Sequence, residues 1–300
     1  MAYFAQQVAN GLHSAALYAL LAYGYALVYG LTRRANFAHG ALFAFAGQML
    51  VLGAVFGYRE LWLTLPAALA FGATSAFVFS GLAGHLLGRR VFAPLATASP
   101  NAFLVATLAA MIVLIELGRI AADTRDWWLP PLLPGQIAFF ASDGFVVSLT
   151  RIQIAGIAGA LMALAAAEII VSRGRAGRIW RAACDDALAA ALLGVDPRRV
   201  LMATVAAATA LAAFGGVLAT LHYGNMSFGA GLTYGLKVVF VAALGAGGRP
   251  LNAALGAAAV GLAEALWTAW LPLEWRDTVI LGVLSLLLIL KPGDRASGQW

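Results

Sequence analysis

Residues 151–221 read RIQIAGIAGALMALAAAEIIVSRGRAGRIWRAACDDALAAALLGVDPRRVLMATVAAATALAAFGGVLATL, a charged island between two long apolar runs. Each run supplies the roughly 20 apolar residues that a helix needs to cross a bilayer. Across 300 residues the chain is 62% hydrophobic and 11% charged, where a soluble domain is about half apolar and about a quarter charged. The reading is an all-α integral membrane protein: a polytopic bundle of eight to nine spans forming one domain over 1–300, with no soluble domain.

Candidate spans fall at about 9–31, 36–57, 62–88, 102–121, 151–172, 200–221, 228–247, 251–271 and 276–291. Crossing at each one puts the N-terminus outside and the C-terminus in the cytoplasm. Arg33, Arg34, Arg89, Arg90, the six island arginines, Arg249, Lys291 and Arg295 then all face inward, 13 of the 19 basic residues. This is the asymmetry that sets orientation in inner membranes. It also explains the net charge of +6 without nucleic acid. The absence of Lys or Arg before Arg33 reads Gly11–Leu31 as a retained span rather than a signal peptide. Two segments read as broken or re-entrant. One is 36–57, close behind Arg33-Arg34; the other is 228–247, rich in glycine and carrying Lys237. Interrupted helices expose backbone groups and line transport cavities. The outer loop, about 122–150, holds Trp127, Trp128 and three prolines; it reads as an interfacial segment ending in a hairpin at Ser142-Asp143-Gly144.

The island, a cytoplasmic loop over about 173–199, reads as a helix over 179–193, with Gly194 as its cap and Asp196-Pro197 starting the next helix. Cys184, Leu188 and Leu192 follow at i, i+4 and i+8, and Arg181 faces Asp185 at i, i+4. Such a helix either lies on the membrane surface or docks a cytoplasmic partner. Asn36-Phe37-Ala38-His39-Gly40 offers two readings as well. Asn36 caps a helix, or the helix N-terminus faces an anionic group in the path. His39 has no ligand partner at metal-binding spacing, and no metal or cofactor is expected. Lys237 and Glu264 are the ionisable groups set deep in apolar segments, and they either pair or line a path. Glu116 and Glu168 sit near segment ends, Glu116 one turn from Arg119. No G-x-x-x-x-G-K-[ST] phosphate loop, GxSxG, HExxH or CxxC motif occurs, so the chain is not read as an enzyme and cannot hydrolyse ATP by a phosphate loop. The single cysteine, Cys184, excludes an internal disulfide.

Several stretches resemble one family in order along the chain. They are GLHSAALYALLAYGYALVYGLTRRANFAHGALFAFAG (11–47), RAACDDALAAALLGVDPRRV (181–200) before AAFGGVLA (212–219), GLKVVFVAALGAGG (235–248), GLAEAL (261–266) and EWRD (274–277) before an apolar run and Pro292-Gly293. Together they resemble permeases of LivH-type branched-chain amino acid ABC importers. The chain departs from that pattern at Ala46-Gly47-Gln48, at Asn225-Met226-Ser227, and after Lys237, where alanine-phenylalanine and a later Gly-Ser are missing. The resemblance implies two cytoplasmic ABC ATPase subunits, a second related permease and a periplasmic substrate-binding protein as partners in the bacterial inner membrane. It implies ATPase coupling through Arg181, Cys184, Asp185, Asp186, Leu188, Leu192 and Gly194, with motion passed to spans 151–172 and 200–221. Asn36, His39, Gly40, Lys237 and Glu264 are the matching pathway candidates. The implied cargo is a branched-chain or other hydrophobic amino acid; relatives in the wider family carry urea or short amides. A secondary transporter or channel working alone is the alternative from a different class.

Overall fold

The computed structural model describes residues 2–96, 98–133, 135–142, 144–244 and 249–290. The chain runs through α1 (Ala2–Thr32), α2 (Ala38–Arg59), α3 (Leu65–Leu87), a π turn at Gly88–Phe92, α4 (Ala93–Leu95) and α5 (Pro100–Ala121). A hairpin of β1 (Gln136–Ser142) and β2 (Phe145–Thr150) follows. Then come α6 (Arg151–Arg173), α7 (Arg175–Asp185), α8 (Ala187–Leu192), α9 (Pro197–Tyr223), α10 (Ala230–Leu244), α11 (Pro250–Trp270) and α12 (Leu273–Leu290).

Among the described residues, seven helices are long and apolar enough to cross a membrane: α1, α2, α3 continuing through α4, α5, α6, α9 and α11. They correspond to seven of the nine segments expected from sequence. The other two are shorter or more polar. α10 has 15 residues, about 22 Å of helix, against a hydrocarbon core of about 30 Å. α12 has 18 residues and opens with Glu274, Arg276 and Asp277. The remainder of the glycine-rich segment, 245–248, and Lys291 onward lie outside the described residues.

Helix starts follow local chemistry. Ser99 accepts from the Ala102 amide at 3.2 Å ahead of Pro100, placing proline where its missing N–H costs nothing. Thr150 and Gln153 close a reciprocal capping box on α6, which satisfies two end donors at once. Asp196 caps α9 through the amides of Arg198 and Arg199 at 2.9 and 3.2 Å, with Pro197 at the first position.

α1 and α2 form the buried centre. α1 packs along α11, α9, α6 and α10, and α2 along α3, α9, α10 and α5. Leu17, Leu21, Tyr25, Phe43, Leu50 and Val217 fill the main core. Contacts between central helices run through small residues, because close backbone approach is what binds helices in lipid. A Cβ on Gly40 would overlap the Gly235 Cα and the Gly231 carbonyl of α10. α5, α6 and α12 turn Val105, Ile112, Ile169, Ile170, Leu286 and Ile289 outward, as lipid-facing helices do.

The 122–150 segment does end in a hairpin, antiparallel with a register shift between Ala138 and Phe140 and Gly144 at φ 76°. Gln6 of α1 ties it down: its amide nitrogen donates to the Ser148 carbonyl and its oxygen accepts from the Ser148 amide, both at 2.8 Å. The hairpin therefore marks the end of the bundle where α1 begins, and the island marks the end where α1 finishes.

Candidate functional site

Four helices meet around a buried ammonium. Lys237 of α10 is 1% exposed. Its Nζ lies 2.5 Å from Glu264 Oε1 of α11 and 2.9 Å from Asp277 Oδ1 of α12, and it donates to the Tyr18 hydroxyl of α1 at 3.4 Å. Tyr18 in turn donates to Glu264 Oε2 at 2.9 Å, and Arg276 Nε donates to Asp277 Oδ1 at 2.9 Å. Two cations and two carboxylates sum to zero, which makes burial tolerable: an isolated charge in apolar surroundings costs several kcal/mol, and pairing recovers much of that. The network joins short α10 and polar-headed α12 to the centre of the bundle.

The first turn of α2 is also interior. Asn36 is 3% and His39 2% exposed. The Asn36 side-chain oxygen accepts from the Ala38 amide at 3.1 Å, while its backbone N–H donates to the Tyr25 hydroxyl at 3.3 Å. Asn36 thus acts as an end-satisfying residue, one position ahead of the formal cap Phe37. His39 Nε2 is bonded to the Leu21 carbonyl at 3.0 Å, so its ring links α2 to α1. Tyr25 lies seven residues before the end of α1 at Thr32, which places the start of α2 about 10 Å inside that end of the bundle. The segment is a complete helix with a buried beginning. Gly40 then presses on α10, so Asn36, His39 and Gly40 form one small-residue junction of α1, α2 and α10, distinct from the ion network.

The island differs from the single helix expected over 179–193. It breaks at Asp186, whose backbone is extended at φ −149°, ψ 102°. The Asp186 carboxylate accepts from the amides of Leu188 and Ala189, both at 2.9 Å; aspartate competes in this way with helix continuation and caps the next helix instead. Cys184, Leu188 and Leu192 consequently do not form one stripe. Cys184 is half-buried, whereas Leu188, Leu192 and Leu193 are 73%, 82% and 85% exposed. Nor does Arg181 bond Asp185. It donates to the Val171 and Ser172 carbonyls and so closes the C-terminus of α6. Gly194 follows α8 at φ 87°, a left-handed conformation that a side chain strains.

α7 is moored to the spans by Trp180, whose indole N–H donates to the Leu27 carbonyl of α1 at 3.1 Å. The ring fills the space left by Gly30, where a Cβ would come within 2.7 Å of Trp180 Cζ2. A cavity of about 850 Å³ opens between α7 and α1, α6 and α11, lined by Tyr29, Arg33, Glu168, Arg181, Asp185 and Asn252 among others. Tyr23 donates to Glu168 at 2.9 Å on its wall. Burial pushes the Cys184 thiol up to about 12, a rise that Asp185 adds to and Arg33 offsets in part.

Residues 7–288 match the family model described as "Branched-chain amino acid transport system / permease component". The chain belongs to that family. The permease is 31% identical over 294 residues to the high-affinity branched-chain amino acid transport system permease protein LivH of Salmonella typhimurium, covering 97% of this chain and 94% of the relative. The corresponding LivH of Escherichia coli K12 is 32% identical over the same shares. BraD of Pseudomonas aeruginosa, a permease protein of the same kind of system, is 30% identical over 296 residues, covering 97% and 94%. No solved structure matches. Its relatives are transport subunits, and the permease carries no phosphate-loop motif of its own.

Sequence reading named Lys237 and Glu264 but missed the other members of their network. Asp277 and Arg276 were visible as charges at the head of an apolar run, a placement that requires a partner. Tyr18 gave no signal among the tyrosines of α1. Glu116 pairs with Arg119 at 3.2 Å on an exposed face.

Proposed function

We propose that this permease subunit moves branched-chain or other hydrophobic amino acids across the bacterial inner membrane. Two separate ATPase subunits on the cytoplasmic side drive it, a periplasmic binding protein supplies it, and a second, related permease stands beside it. The names of the relatives support the cargo, and a chain without a phosphate loop fits a subunit powered by separate ATPases. The distribution of arginines supports a cytoplasmic island with the N-terminus outside.

The observation that carries the reading is the island's surface. Leu188, Leu192 and Leu193 are more than 70% exposed on a charged loop between spans. Burying one leucine side chain is worth about 1.5–3 kcal/mol, so a protein groove that received all three would bind the island firmly. Asp186 sets the angle between α7 and α8, and Gly194 turns the chain back into α9. A docked ATPase that changes shape on ATP binding would therefore displace α7 and α8 together. Coupling of this kind needs different contacts in the two states of the cycle.

Co-purification tests the reading. The ATPase subunits are expected to elute with the wild-type permease and to be lost from Asp186→Arg and Gly194→Leu variants that still fold. Undiminished uptake in cells lacking the ATPases would overturn it. Screening the cognate binding protein against amino acids, urea and short amides tests the cargo separately.

A further inference from the structure

The cavity of about 850 Å³ beside α7 is bordered by the last turns of α1 and α6 and the first turn of α11. It therefore lies where three spans end, at the level of a bilayer's headgroups. Among the described residues its charged lining is Arg33, Arg181, Arg249, Glu168 and Asp185. Three guanidiniums against two carboxylates leave a surplus of one positive charge. Glu168 is already engaged, accepting from Tyr23 at 2.9 Å. Arg181 gives two donors to the α6 carbonyls but keeps its charge and further N–H groups. Arg249 stands at the N-terminus of α11, a 21-residue helix whose first turn no side chain caps. That end adds a partial positive charge of its own.

We propose that this cavity seats one phosphate-bearing monoanion, the headgroup of an anionic phospholipid of the cytoplasmic leaflet. The proposal rests on the cytoplasmic placement of the island. Guanidiniums bind phosphate through paired, charge-assisted hydrogen bonds, and one surplus positive charge matches one phosphodiester. Basic pockets between spans on the cytoplasmic side are of the kind that hold such headgroups. The other ligand with suitable chemistry is a free amino acid, held between an arginine and a carboxylate. Size argues against it: the volume falls in the range of about 300–1,000 Å³ that takes drug-sized ligands, and one amino acid leaves most of it empty. Ala26, Ala253 and Trp180 supply an apolar wall for the glycerol and upper acyl carbons. α7 is two-faced, with Arg175 and Arg178 exposed and Trp180 bonded to α1, the pattern of a helix at a charged membrane surface. A seated headgroup links Arg249 of α11 to Arg181 of α7 and steadies α7 against the spans.

Native mass spectrometry of the delipidated full-length permease, titrated with phosphatidylglycerol, phosphatidylcholine, inorganic phosphate or leucine, tests this. One phosphatidylglycerol per chain is expected to bind at least tenfold more tightly than phosphatidylcholine, undisplaced by millimolar phosphate or leucine. Arg249→Gln, at an exposed helix end, is expected to keep the elution profile and melting behaviour of the wild type while abolishing that preference. Arg175→Gln, on α7 but outside the cavity lining, leaves binding unchanged; an equal loss there would mean general surface attraction and refute the site. Glu168→Gln removes a negative charge from the wall and should hold the lipid at least as tightly. Equal binding of the two lipids, or a preference that survives in Arg249→Gln, would overturn the proposal. Displacement by inorganic phosphate would reassign the cavity to a soluble anion, and leucine binding that Glu168→Gln abolishes would reassign it to an amino acid; either sinks the lipid assignment. Binding in detergent is read whatever the cargo and sidedness, so its failure leaves the transport reading standing.

Discussion

Replacing Lys237 by methionine removes the one ammonium that serves both Glu264 and Asp277. The consequences for the two carboxylates differ. Asp277 keeps Arg276 at 2.9 Å and has a side chain 43% exposed. Glu264 keeps only the Tyr18 hydroxyl at 2.9 Å, with a side chain 10% exposed. It loses its ion-pair partner and is left with Arg276 acting on it only through space, a loss approaching that of a broken buried pair, about 3–5 kcal/mol. Glu264→Gln is expected to cost much less, because Lys237 retains Asp277 and Tyr18. The double variant, Lys237→Met with Glu264→Gln, should recover most of the deficit, since two charges leave together. Thermal unfolding in one detergent, read by loss of the monodisperse elution peak, gives the order wild type, Glu264→Gln, double variant, Lys237→Met from most to least stable. Lys237→Met matching the wild type, or Glu264→Gln falling below Lys237→Met, would refute the reasoning. Uptake assays on the folded variants then show whether the network also serves transport.

The remaining predictions concern the island and the central packing. Asp186→Ala loses a cap on two amides, worth about 1 kcal/mol, and should loosen α8 enough to raise its proteolytic cleavage; Asp186→Asn, an equally good cap, should restore protection. With its thiol pushed up to about 12, Cys184 holds few thiolates at pH 7.5, so maleimide labelling should run on the order of a hundredfold or more below a free cysteine peptide. Labelling should climb steadily as pH rises toward 10, because the thiolate fraction grows until pH reaches the raised value; a flat profile would contradict it. Gly40→Val drives a side chain into the α10 backbone and should cost at least the 1–3 kcal/mol typical of overpacking, visible as loss of the folded elution peak. Gly81→Ala meets nothing within 4 Å and should be neutral or slightly stabilising through better helix propensity.

Span existence was legible because an apolar run of sufficient length leaves the backbone few alternatives in lipid. The depth of a span was not. The start of α2 is fixed by Tyr25, Leu21 and Thr107, partners on other helices whose approach no local pattern announces. The island helix misled in a different way. Alanine-rich propensity favours one continuous helix, yet Asp186 wins locally by bonding two amides, and Arg181 is drawn away from Asp185 by the open carbonyls at the end of α6. The cost of burying charge left Lys237 and Glu264 two readings, pairing or lining a path, and the structure shows them paired. The contact of His13 of α1 with His222 of α9, ring centroids 4.2 Å apart, followed from nothing in the sequence, since both residues sit in ordinary apolar surroundings on distant helices.

Trp180 ties the island to a span that does not adjoin it in sequence. Its neighbours in sequence are α6 and α9, but its indole grips the carbonyl of Leu27 and its ring is seated against Gly30, both on α1. α1 lies along α11 for much of its length and carries Tyr18 to the Lys237 network. Under the proposed coupling, a push on α7 would therefore reach the central shaft of the bundle through Trp180, as well as α6, which Arg181 holds by the Val171 and Ser172 carbonyls.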